Sequence, residues 1–246
     1  MKTKSSVRFF ARAAHLDVDI ELADVIMISI KQGMLNTEDH EYIFDKVDIE
    51  KHPRLAERKI SHTSRRHAAE HLKATLCEAF IKNIYEDTTQ YFQEIIDAAA
   101  KNGLDPQRLI GEHQTNFKAN EVLQAGGWDK VVSMVAESVF RKLLNERDTK
   151  KLLEKINIKL KLDVSSTTID NALPYFEIRH LLVHNDGKAD KKFCDAFPDF
   201  CTSIGKKIKL DAKLIQDART AISALIEEFD QQIVSKSIVA SNQLQP

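Results

Sequence analysis

Apolar positions recur every three or four residues along most of this chain, and the longest such run, Leu72, Leu76, Phe80, Ile84, Tyr91, Ile95 and Ala99, spans residues 64 to 103. That period places one stripe on an α-helix, so the segment predicts one long helix or two joined end to end. A helix is also predicted over 17 to 33, with Asp17 as its cap, Ile20, Ala23, Met27 and Ile30 inward and Gly33 as its stop. Asn36 and Thr37 can cap a second, short one that ends before Pro53. Residues 104 to 117 read as a short helix after Asp105-Pro106, and 128 to 147 as an amphipathic one burying Val132, Val135, Val139 and Leu143. Thr149 caps a shorter helix through Leu152, Leu153 and Ile156, and Asp211 caps a last long one through Leu214, Ala218, Leu225 and Phe229. Phe193, Phe197 and Phe200 follow helical spacing until Pro198 interrupts them, and 205 to 210 reads as a brief extended piece. Seven Gly and five Pro leave little material for turns, which again predicts few, long elements. The expected class is all-α.

A chain of 246 residues holds one domain with an extension, and the pattern divides it into an N-terminal helical extension (1–60), a helical domain (61–236) and a frayed polar tail (237–246). Hydrophobic residues at 43% and charged ones at 30% are ordinary for a soluble globular protein. The net charge of −1 gives no global basic field, so any nucleic-acid binding has to come from a local patch. One candidate lies between residues 51 and 73, where seven basic side chains, among them Arg58, Lys59, Arg65 and Arg66, face only Glu57 and Glu70. They read as an RNA-phosphate patch or as the solvated face of a helix. His67 to His71 spells H-x-x-E-H, but no third ligand accompanies it, so no metal or other cofactor is expected.

The N-terminus lacks the apolar core of a signal peptide, and no segment is long and apolar enough to span a membrane. Cys77, Cys194 and Cys201 form no C-x-x-C pair and are odd in number; they are expected to be reduced packing residues of a cytoplasmic protein. No two glycines have G-x-G spacing and no G-x-S-x-G occurs, which disfavours a phosphate loop and a serine esterase.

The most informative stretch is P-Y-F-E-I-R-H-L-L-V-H-N-D-G, residues 174 to 187. Proline suits the first position of a helix and N-D-G its end, which predicts a helix from 174 to 184 after a turn or cap at S-S-T-T. Glu177, His180 and His184 then share a polar stripe beside an apolar face of Ile178, Leu181 and Leu182. In the last turn the helix dipole favours an imidazolium at His184.

Arg179 and His184 form R-x4-H, with His180 after the arginine and Asn185 after the second histidine. The stretch resembles the signature of the HEPN superfamily, helical proteins of which many are metal-independent ribonucleases in toxin-antitoxin and phage-defence systems. The same spacing occurs at Arg66 to His71 and at Arg108 to His113. Only the third copy has an apolar L-L-V interior and a terminating N-D-G. The resemblance implies a HEPN-like helical bundle that forms a homodimer and acts on RNA, with an antitoxin or regulatory protein as a further partner. In the branch paired with nucleotidyltransferase antitoxins a tyrosine stands two residues after the second histidine, where this chain has Asp186.

The residues themselves suit one reaction. Attack of a ribose 2′-OH on the adjacent phosphorus needs a group to take a proton, one to return it to the 5′-oxygen, and a cation on the phosphate. Histidine fits the first two tasks and the planar fork of Arg179 the third, with His184 as the proton carrier, His180 to orient or assist it, and Glu177 and Asn185 in support. Positions five apart on an ideal helix are about 140° apart, so Arg179 and His184 do not share a face. Two copies packed about a two-fold axis bring the arginine of one to the histidine of the other. The alternative is a non-catalytic dimeric RNA-binding or scaffold protein of the same fold.

Overall fold

The computed structural model describes residues 1–33, 42–44, 47–58, 61–111, 116–146 and 148–245. The chain is all-α apart from one two-stranded sheet among these residues. In order it runs β1 (Lys2–Thr3), α1 (Lys4–Ala13), α2 (Asp17–Lys31), α3 (Pro53–Ala56), α4 (His62–Lys101) and α5 (Pro106–Ile110). It continues through α6 (Ala119–Gln124), α7 (Trp128–Leu144), α8 (Thr149–Lys159), α9 (Ser166–His184), α10 (Lys191–Ala196), α11 (Ala212–Ser235) and β2 (Leu244–Gln245). Two compact units emerge, and they divide the chain differently from the expected 1–60, 61–236 and 237–246. The larger holds Met1–Ala13, Ile81–Ile208 and Gln216–Pro246, the smaller Ala14–Phe80 and Lys209–Ile215.

In the larger unit the long stripe of α4 continues through Ile84, Tyr91, Ile95 and Ala99, each at most 2% exposed. Phe92 of α4 meets Phe229 of α11 edge-on at 4.8 Å, and Tyr85 meets Phe176 of α9 at 5.6 Å. Truncating a ring as enclosed as Phe229 costs about 3–5 kcal/mol. Both termini belong to this core. β1 and β2 pair antiparallel, with Lys2 opposite Gln245 and Thr3 opposite Leu244. The buried carboxylate of Asp230 accepts from the Thr3 amide at 3.0 Å, the Thr3 hydroxyl at 2.5 Å and the Tyr91 hydroxyl at 3.3 Å. Burial first, and then that carboxylate, pushes the Tyr91 phenol well above its ordinary range. α1 was not expected, because its pattern is short and mixes Ser5 and Ser6 with basic residues. Two ion pairs hold it: Arg8 with Glu94 at 2.6 Å and Arg12 with Asp87 at 2.6 Å.

The smaller unit packs Met27 and Ile30 of α2 against Ala69 of α4, with Ile26 and Phe44 beside them. Arg65, 3% exposed, donates through Nε to the Ile43 carbonyl at 2.6 Å, and Lys73 pairs with Asp24. Leu16 rather than Asp17 occupies the cap position of α2. The predicted caps Asn36 and Thr37 lie outside the described residues. Asp148, not Thr149, caps α8, its side chain accepting from the Lys151 amide.

Candidate functional site at the end of the ninth helix

α9 begins earlier than predicted, at Ser166, because the Ser165 side chain accepts from the Thr167 amide and starts the helix there. Pro174 is therefore an interior residue and not the first one. An interior proline forfeits the bond to the carbonyl four residues back and costs about 3 kcal/mol. Burial of Ile169, Ala172, Tyr175, Phe176 and Ile178 along the same helix offsets that cost. The helix stops as the sequence predicts: Gly187 takes φ +70°, and its amide and that of Asn185 both donate to the Leu181 carbonyl at 2.9 Å. The Asn185 side-chain Nδ2 donates to the Lys188 carbonyl at 2.7 Å, so this side chain shapes the turn. After the turn, residues 187 to 189 pair with 205 to 208, Ile208 N donating to Gly187 O and Ala189 N to Lys206 O, each at 2.9 Å. Asp186 sits beside Lys207 at 3.3 Å and Lys188 at 3.5 Å, and these ammonium groups, Lys207 first, hold its carboxyl below the ordinary carboxylate range.

The last turn presents its polar side chains on two surfaces. His180 and His184 are exposed and adjacent, their ring centroids 4.6 Å apart with planes tilted by 48°. His180 and Glu177 line a pocket of about 240 Å³ with Lys150, Lys192, Phe193 and Phe197. Glu177 also accepts a long hydrogen bond, 3.4 Å, from the Thr149 hydroxyl. Arg179 lines a separate cleft of about 740 Å³, where its guanidinium carbon lies 4.4 Å from the centroid of the Tyr85 ring. Its Nε is buried and has no hydrogen-bond partner. Glu86, Glu94, Asp97 and Glu137 border the same cleft. Three of them already have cations: Arg8 for Glu94, Lys101 for Asp97 and Arg141 for Glu137. Within one chain, then, the two histidines come together and Arg179 stands apart from them.

In the other R-x4-H copies the arginines already have partners. Arg66 pairs with Glu70 at 3.6 Å one turn away, and His71 is exposed on α4. Arg108 donates to the Lys159 carbonyl at 2.6 Å while Lys159 Nζ returns bonds to Leu109 O and Arg108 O, clamping α5 to the end of α8. His113 lies outside the described residues. The proposed RNA-phosphate patch is also largely spent. Arg65 is buried and bonded to a backbone carbonyl, Lys51 and Arg54 pair with Asp48 and Glu57, and Lys59 lies outside the described residues. Of its four named members, Arg58 is an exposed cation.

The cysteines are not all reduced packing residues. Cys194 and Cys201 form a disulfide, with Cα atoms 5.2 Å apart, and Cys77 is buried and free. An odd count leaves room for one bond and one thiol, and the turn at Phe197-Pro198 folds the two sulfurs together. Burial pushes the Cys77 thiol up. Tyr85 as the partner of Arg179, and Phe193 and Phe197 as pocket walls, are not legible in the sequence, since aromatic side chains at helical spacing read as core.

Among the described residues no three His, Cys, Asp or Glu side chains converge as metal ligands would, and no helix is long and apolar enough to cross a membrane. Compared with known proteins, the chain matches no family model, no curated protein and no solved structure.

Proposed function

We propose that this protein is a metal-independent endoribonuclease of HEPN type whose active site is completed by a second copy of the chain. The observation that carries the reading is the end of α9, where two exposed imidazoles lie side by side while the guanidinium five residues before His184 points into a different cleft with Nε unpartnered. One imidazole takes the 2′-OH proton as the 2′-oxygen attacks phosphorus, and the other protonates the departing 5′-oxygen, leaving a 2′,3′-cyclic phosphate. Arg179 of the opposite protomer neutralises the crowded phosphate through its planar fork. The resemblance that motivates this reading also suggests a toxin or phage-defence effector, held by an antitoxin or other regulatory protein. The reading sets its action among cytoplasmic RNAs, and the Cys194–Cys201 bond, a kind that is rare in a reducing compartment, lends that location no support.

One observation favours a second reading. Glu86 and three ion-paired carboxylates border Arg179, so its cleft carries no excess of positive charge for a phosphate in the single chain, as a non-catalytic dimeric scaffold protein would allow. A fluorescent-RNA cleavage assay in EDTA separates the two. Turnover that produces 2′,3′-cyclic phosphate ends is expected; a dimer that leaves a broad set of RNAs intact would sink the catalytic reading.

A further inference from the structure

The pocket on the histidine side of α9 is mixed in character. Its apolar lining comes from Leu173, Leu181 and Phe193, with half-buried Phe197 beside Phe193 at a ring distance of 5.4 Å. Its polar lining is mostly committed elsewhere. Asp148 accepts from the Lys151 amide at 3.2 Å, Asp190 accepts from the Phe193 amide at 2.8 Å, and Lys150 pairs with Asp170 at 2.7 Å. Besides His180 and the second oxygens of the two aspartates, two groups keep spare capacity. Glu177 has only its long contact with Thr149, and the exposed ammonium of Lys192 has no partner among the described residues. A carboxylate and an ammonium therefore face one small cavity that an aromatic side chain borders and His180 joins.

Those groups fit a flat ring with two adjacent N–H donors next to a carbonyl. Resting on the ribonuclease reading, which brings an unpaired RNA strand to His180 and His184, the geometry points to a guanine-binding pocket. The base stacks on Phe197, its N1–H and N2–H donate to the two oxygens of Glu177, and its O6 accepts from the Lys192 ammonium. Adenine and cytosine place a bare ring nitrogen beside their amino group, where it meets a carboxylate lone pair. Uracil has a single N–H between two carbonyls. At about 240 Å³ the cavity admits one base and lies below the usual range for larger ligands, roughly 300–1,000 Å³. The exposed Lys188, Lys206 and Lys207 lie on the adjoining turn and its paired segment, and exposed Lys191 opens α10, where the flanking phosphates would run.

The test is fluorescence anisotropy of the full chain, in EDTA, with short 2′-O-methyl oligouridines that resist cleavage and carry guanosine, adenosine, cytidine or uridine at the centre. The guanosine probe is expected to bind roughly 5- to 150-fold more tightly than the others, the range of a good bidentate base contact. Glu177→Gln should abolish that preference, Lys192→Ala reduce it, and Phe197→Ala weaken all four probes. Equal affinity for the four, no binding of any, or a preference that survives Glu177→Gln overturns the pocket. Cleavage of the matching ribo-oligonucleotides is read separately. A guanosine preference without cleavage keeps the pocket and removes the catalytic reading, and cleavage without a preference does the reverse.

Discussion

The guanidinium of Arg179 stacks on Tyr85 with its Nε unpaired, an arrangement lysine cannot reproduce, since a compact ammonium has neither a planar face nor a bidentate fork. His184 differs in kind: it is exposed at the helix end and touches the His180 ring. On the proposed chemistry Arg179→Lys and His184→Ala each lower the cleavage rate by about two to four orders of magnitude, the usual contribution of a positioned proton carrier or transition-state cation. Thermal melts of both variants should stay close to that of the unaltered protein, and His180→Ala should lower cleavage to a comparable degree, since the proposed chemistry uses both imidazoles. His71→Ala should leave cleavage unchanged. Initial rates on a fluorescent RNA check all four, and a strong loss at His71 with none at His184 would place the site in the wrong segment. The R-x4-H residues were legible because their spacing and the N-D-G stop are local. The stacking of Arg179 on Tyr85 was not, since it joins two helices 94 positions apart in sequence.

Elements were legible in proportion to their length. The unbroken stripe of α4 announced a helix that runs for 40 residues, whereas α1, at 10 residues, has too few apolar positions to set a period. α9 was read short because proline is a good first residue, and nothing local shows that the burial upstream outweighs its missing bond. Asp211 was placed correctly as the cap of α11: its side chain accepts from the Leu214 amide at 3.0 Å. That bond first, and then Lys209, holds its carboxyl below the ordinary aspartate value of 3.8. A lowered folded value means that the charge-dependent part of the cap is fully present above the unfolded value and is lost as pH falls through the folded one. Asp211→Ala should therefore cost about 0.5–2 kcal/mol at neutral pH in urea melts, and the difference should shrink below the folded value without vanishing, since a neutral carboxyl oxygen still accepts from the Leu214 amide. The Cys194–Cys201 bond, across a separation of 7 residues, closes the segment that carries Phe197. Chain entropy for so short a loop is worth about 2–3 kcal/mol. Reductant should lower the melting temperature of the unaltered protein, while Cys201→Ser should already melt lower and be insensitive to reductant.

For the whole molecule, the decisive question is how many chains make one site. Within one larger unit the histidine pocket and the Arg179 cleft have no lining residue in common, so the catalytic groups assigned to a single phosphate are split between two surfaces of α9. A two-fold axis near the end of α9 would lay the Arg179 surface of one copy against the His184 surface of the other, and would do so twice. Each dimer would then carry two sites, each drawing its arginine from one chain and its imidazoles from the other. This arrangement has a consequence no single-chain site shares. Arg179→Ala and His184→Ala proteins, each inactive alone, should recover activity when mixed and allowed to exchange subunits. Random exchange makes half of the dimers mixed. In each mixed dimer one of the two sites recovers both groups and the other loses both, so the plateau is about one quarter of the activity of the unaltered protein. Sedimentation at micromolar concentration should show a dimer for both variants, and the rise in activity should follow the time course of exchange. Dimers that exchange freely without any gain in cleavage would mean that each chain supplies its own arginine and histidine, and the composite site would have to be abandoned.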